Sequence, residues 1–135
     1  MQLQVAVLCD AATDYRGHLC VLGAFDTLLA RQMPYTHPHC ALALRLCFFA
    51  EDEGEIRLGI RLLNADGQPV MPSFEPRITV NVQLGNDASF MTRNLVLNFQ
   101  GLTFPKAGEY AIQIVSNSES ILEMPLRLVE VSGES

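Results

Sequence analysis

The amino-acid sequence predicts an all-β domain, a two-sheet antiparallel β-sandwich of about eight strands. Three observations carry this expectation. Apolar residues recur with a period of two along most of the chain, clusters of Gly, Pro, Asn and Asp separate the alternating runs, and no segment holds a convincing helical period. A closed barrel shares the same strand signals and is the alternative architecture.

The runs fall in order. In Gln2 to Cys9, Leu3, Val5, Val7 and Cys9 share one face. Asp10 to Gly17 reads as a polar connection. Leu19 to Ala30 is a second apolar run, in which Gly23 signals a bulge or a close backbone approach. The overlapping stretch Leu22 to Met33 best tolerates a helix, against which Gly23 and the lack of a C-cap stand. Gln32 to His39 contains Pro34 and Pro38 and predicts an irregular segment.

Cys40 to Ala50 is apolar on both faces. Glu51-Asp52-Glu53-Gly54 follows as an acidic turn, and Ile56, Leu58, Ile60 and Leu62 then alternate with Arg57, Gly59 and Arg61. These two runs predict a hairpin. Asn64-Ala65-Asp66-Gly67 is a turn, and Gln68 to Pro76, with three prolines, is an irregular or edge segment. Further strands are expected over 77–84, 92–99, 109–116 and 121–131, with connections at 85–91, 101–108 and 117–120. The chain has no internal repeat or linker. A single domain is expected over 1–131, with 132–135 as a disordered tail.

Composition bounds function. The 135 residues suffice for one core without staples. Apolar residues make up 49% and charged ones only 18%, below the usual quarter or so. Low charge leaves room for part of the surface to be covered by another subunit. Nine basic residues, of which Lys106 is the single lysine, face fifteen acidic ones, for a net charge of −6. Scattered arginines on an acidic chain disfavour nucleic acid and anionic membranes as partners. The start lacks the charged leader of a secretory signal, and no run reaches the roughly 20 apolar residues of a membrane span, so a cytoplasmic protein is expected. Cys9, Cys20, Cys40 and Cys47 form no C-x-x-C pair and read as reduced, mostly buried thiols. A Cys9–Cys20 bridge across a hairpin is the other possibility.

Leu102 to Tyr110 ends in Gly108-Glu109-Tyr110 and leads into an alternating strand. This resembles the tyrosine corner of Ig-like sandwiches, in which the hydroxyl bonds back to the connecting backbone. Tyr110 and Gly108 are therefore expected to be structural residues of an Ig-like architecture.

Longer stretches carry a family resemblance. Leu8-Cys9-Asp10, Gly17-His18-Leu19 and Leu22-Gly23-Ala24-Phe25-Asp26-Thr27 are similar to the opening of an uncharacterised bacterial family of small proteins. Pro34 with His37-Pro38-His39, Leu63 to Gly67, Asn94 to Asn98 and Phe104 to Tyr110 extend the likeness over nearly the whole chain. The resemblance implies a β-sandwich of unknown function. It implies no activity, cofactor or site residue.

Few residues offer chemistry. His37 and His39, one residue apart, can reach a single metal ion, with Cys40, Asp26 or Asp10 as a third ligand. The favoured reading of the same pair is a Pro-rich loop whose histidines cap the following strand or face solvent. Asp10, Asp14, Tyr15 and His18 could supply a carboxylate–imidazole pair, though turn-forming aspartates explain them as well. Glu51, Asp52, Glu53 and Glu55 lack the spacing of a calcium loop and read as a solvated tip. No nucleophile elbow, S-x-x-K or Gly-rich phosphate loop is present.

Two function classes remain. The first is a non-catalytic binding or assembly module, either a homo-oligomer or the mate of another protein, because Leu42–Phe49 and Leu19–Leu29 are apolar in nearly every position and a two-layer fold covers one face of each strand. The second is a metal-binding domain or metal-dependent hydrolase built on His37 and His39. The first is favoured, with no cofactor expected.

Overall fold

A computed structural model describes residues 1–132. The described residues are all-β, with nine strands in two sheets and one short 3-10 turn at Ala50–Asp52. The strands are β1 (Gln2–Tyr15), β2 (His18–Phe25), β3 (Thr27–Ala30), β4 (Tyr35–Phe48), β5 (Gly54–Leu63), β6 (Arg77–Val82), β7 (Met91–Phe104), β8 (Gly108–Ser116) and β9 (Glu119–Glu130). One sheet has the order β2-β1-β4-β7 and the other β3-β9-β8-β5-β6. Each sheet has two edges, so neither is a closed barrel. The antiparallel expectation holds for the ladders of β1, β2, β4, β5, β8 and β9, while β3 runs parallel to β9.

The chain divides into two compact units, each assembled from three separate stretches. The first comprises Met1–Phe25, His39–Arg57 and Thr79–Phe99. Its central strand β4 has β1 and β7 on either side, and Cys40–Leu44 are all buried. A strand interior to a sheet and buried on both faces needs a continuous apolar run, which explains why alternation fades there. Leu42, Leu44, Leu46 and Phe48 form one buried row. On the other row, Cys9, Ala41 and Ala43 pack with Val7, Ala12, Leu19 and Val96.

The second unit comprises Asp26–Pro38, Leu58–Ile78 and the chain from Gln100 onward. Leu58, Ile60, Leu62, Ile112 and Ile114 are fully buried on β5 and β8. Phe104 lies edge-on to Tyr110 at 5.0 Å between ring centroids and stacks with Tyr35 at 6.4 Å. The Tyr110 hydroxyl donates to the carbonyl of Lys106. That bond fixes the entry to β8, where Gly108 takes a φ of 145° that a side chain would disfavour. The Pro-rich segment runs beside β5, through the Leu63–Pro69 bridge and the Val70 N–H bond to the Leu62 carbonyl.

Four sequence expectations are corrected. Residues 40–50 and 55–63 do not form a hairpin: β4 and β5 belong to different sheets, and the acidic turn joins them. Asp10–Gly17 is not a connection, because β1 continues to Tyr15 and pairs Thr13 with Cys20 and Asp14 with Leu19. Only Arg16 and Gly17 turn the chain, both at positive φ (54° and 84°), the backbone that a two-residue hairpin turn requires. Residues 101–104 continue β7, which leaves three residues before β8. Finally, Gln32–His39 is not wholly irregular, since β4 starts at Tyr35. Pro38 is tolerated because β1 pairs only with 41–47 of β4, so its missing N–H breaks no bond of that ladder. The stretch that best tolerates a helix, Leu22–Met33, holds β3 and the end of β2. Of the expected tail, residues 133–135 lie outside the described residues.

Candidate functional site

The β1–β2 hairpin reaches well past the buried part of β1, and a polar cluster in the first unit holds its tip. Arg45 on β4 is the hub. Its Nε donates to Gln4 Oε1 at 3.0 Å, and its Nη1 donates to the Gly17 carbonyl at 3.1 Å and to Asn94 Oδ1 at 2.7 Å. Nη2 reaches Thr92 Oγ1 at 3.4 Å. Asn94 on β7 in turn donates through Nδ2 to Asp14 Oδ2 at 2.8 Å and to the Gly17 carbonyl at 3.1 Å. The Gly17 N–H closes the ring by donating to Asp14 Oδ1 at 2.9 Å. The planar, multi-donor guanidinium suits such a hub, because it can serve several acceptors from one fixed fork.

This arrangement clamps a turn. Every polar atom named above is used internally. The Gly17 N–H, then the Asn94 amide, hold the Asp14 carboxyl below its ordinary range, with smaller help from Arg45 and His18. A carboxylate so stabilised is a poor proton donor or acceptor near neutrality.

What the clamp positions is β2. It is the outer strand of its sheet, and no described strand lies beyond it. Its sequence, His18 to Phe25, contains no Asp, Glu, Lys, Arg or Pro. Leu22 is 70% exposed, Val21 39%, and Tyr15 on the adjoining tip 57%. The other edges are guarded or short: β6 and β7 carry Arg77 and Arg93, and β3 has four residues. Natural sheets normally blunt a long edge with charge, proline or cover. β2 shows none of these.

The sequence-nominated residues are dispersed. His37 Nδ1 is 2.7 Å from the Tyr35 hydroxyl, and the two rings lie 5.8 Å apart. His39 is exposed on β4. Among the described residues no group of three or more His, Cys, Asp or Glu is placed to hold a metal ion, so His37 and His39 acquire no third ligand. Burial, with the charges of Cys9 and Asp10, pushes the Cys40 thiol up to about 11, and burial likewise raises Cys9. Neither is poised to be a thiolate ligand or nucleophile. All four cysteines are free, which removes the Cys9–Cys20 bridge. The Asp10 side chain packs against Gly23, where an added Cβ would meet its carboxylate, and Gly23 holds a left-handed φ of 70°.

Of the acidic stretch, Asp52 Oδ2 accepts from the Phe49 N–H at 2.8 Å and Glu55 pairs with Arg57 at 2.7 Å. A shallow depression in the second unit is lined by Asp26, Thr27, Glu109, Tyr110 and Arg127, and there the Thr27 hydroxyl donates to Asp26 Oδ1 at 2.8 Å. No buried side-chain polar atom among the described residues lacks a partner. Sequence reasoning missed Arg45 and Asn94. The available signal was Arg45 itself, a lone charge inside a run otherwise apolar on both faces.

No helix among the described residues is long and apolar enough to cross a membrane. No curated protein and no solved structure matches the chain. Residues 4–129 match the model of a family of unknown function, and the chain therefore belongs to that family, DUF6941.

Proposed function

We propose that the protein is a non-catalytic binding or assembly module whose working surface is the outer edge of β2. The observation that carries this reading is a long edge strand without charge or proline, held in place by a dedicated hydrogen-bond clamp. Unpaired N–H and C=O groups along such an edge add a strand from a partner, and the exposed side chains of Val21 and Leu22 supply apolar contact. The low charge of the chain supports the same reading. The Tyr110–Lys106 bond supports an Ig-like architecture, a fold type often used for recognition.

The test compares wild type with Leu22→Lys. Leu22 is exposed, so the variant folds, while the lysine places a charge in the edge. The reading predicts that association, with itself or with a protein identified from lysate, is lost in the variant at unchanged thermal stability. Association that survives the substitution would remove β2 from the account.

A further inference from the structure

We infer that the occupant of the β2 edge is β2 of a second copy of this chain, paired antiparallel about a two-fold axis. The inference rests on the reading of β2 as the working edge and adds its partner. The evidence is the placement of charge. β2 is itself uncharged, but Arg16 precedes it in the turn and Asp26 follows it, both exposed. Opposite charges at opposite ends of a neutral strand are self-complementary only in an antiparallel pair. With Val21 at the two-fold axis, Arg16 of each copy faces Asp26 of the other, twice over. A parallel pair would set Arg16 against Arg16 and Asp26 against Asp26.

The same register sets Leu22 opposite Cys20 and Val21 opposite its own mate, so exposed apolar side chains meet across the axis. Closed two-fold pairing also consumes both edges and leaves nothing for a third copy, whereas an open heterologous contact would propagate.

The experiment is a charge swap on the full chain, read by sedimentation equilibrium with circular dichroism as the folding control. Wild type is expected to be a dimer at high concentration. Arg16→Asp sets four carboxylates at the two ends of the interface and is expected to weaken the dimer by about tenfold or more. The double variant Arg16→Asp with Asp26→Arg restores opposite charges and is expected to recover the dimer. A monomeric wild type overturns the inference, as does a dimer indifferent to Arg16→Asp or a double variant no better than the single one. If wild type is monomeric yet binds an identified protein in a Leu22-dependent way, the second-copy inference fails and the module reading stands. If neither occurs, both fail.

Discussion

Replacing Arg45 with Met removes the hub of the clamp while keeping an apolar stem of similar length. Four hydrogen bonds from a charged donor are lost, to Gln4, the Gly17 carbonyl, Asn94 and Thr92. Bonds to a charged group contribute about 1.5–3 kcal/mol each in dry surroundings. Here the Gln4 and Gly17 bonds are exposed, so their acceptors return to water, and the Thr92 contact is long. The short bond to Asn94 carries most of the loss. Asn94 and Asp14 also keep their own bonds to Gly17. The net cost is therefore about 2 kcal/mol, a fall in Tm of roughly 6–10 °C for a chain of this size. Thermal unfolding by circular dichroism measures the first quantity. Hydrogen exchange of peptides covering 13–20 measures its location, and exchange there is expected to quicken more than in β8. A loss below about 0.5 kcal/mol with unchanged exchange at the tip would refute the clamp.

Other outcomes follow from single contacts. Tyr110→Phe keeps the packing on Phe104 and deletes the bond to the Lys106 carbonyl, for a loss of about 1 kcal/mol in denaturant unfolding. Gly23→Ala is expected to cost about 1–2 kcal/mol, because the left-handed backbone strains any side chain. Asp10→Ala should not rescue it, since the Asp10 carboxylate can swing away and the backbone strain persists. Acid should destabilise the fold through Asp14 and Glu75. The bonds from Arg61 and then Arg77 hold Glu75 low, as those from Gly17 and Asn94 hold Asp14. Groups whose folded pKa is depressed add stability above their unfolded values, here 4.5 and 3.8, and lose it as pH falls through the folded ones. Tm should drop through that acid window, and less steeply in an Asp14→Asn, Glu75→Gln variant.

The sequence reveals strands wherever burial imposes alternation, and it becomes silent where strands leave the core. Ile56, Leu58, Ile60 and Leu62 alternate because one row of β5 is buried, and that strand was readable residue by residue. Thr13, Asp14 and Tyr15 also lie in a strand, but they are exposed and held by backbone pairing and the polar clamp, so no apolar period marks them. The β4–β5 junction misleads for another reason. A short acidic turn between two apolar runs looks like a hairpin, although the runs belong to different sheets, and strand partners depend on contacts far along the chain. The candidate site was half legible. The apolar excess of Leu19–Leu29 marks the β2 edge, whereas the Arg45–Asn94–Asp14 clamp joins residues up to 80 apart in sequence and has no local signature.

The most direct test of the central claim is hydrogen exchange of the wild-type chain at dilute and concentrated protein, resolved to single strands. The account predicts that amides of 18–24 exchange more slowly at the higher concentration while those of β6 and β7 are unchanged. Equal exchange of β2 at both concentrations, or concentration-dependent protection confined to another edge, would contradict it.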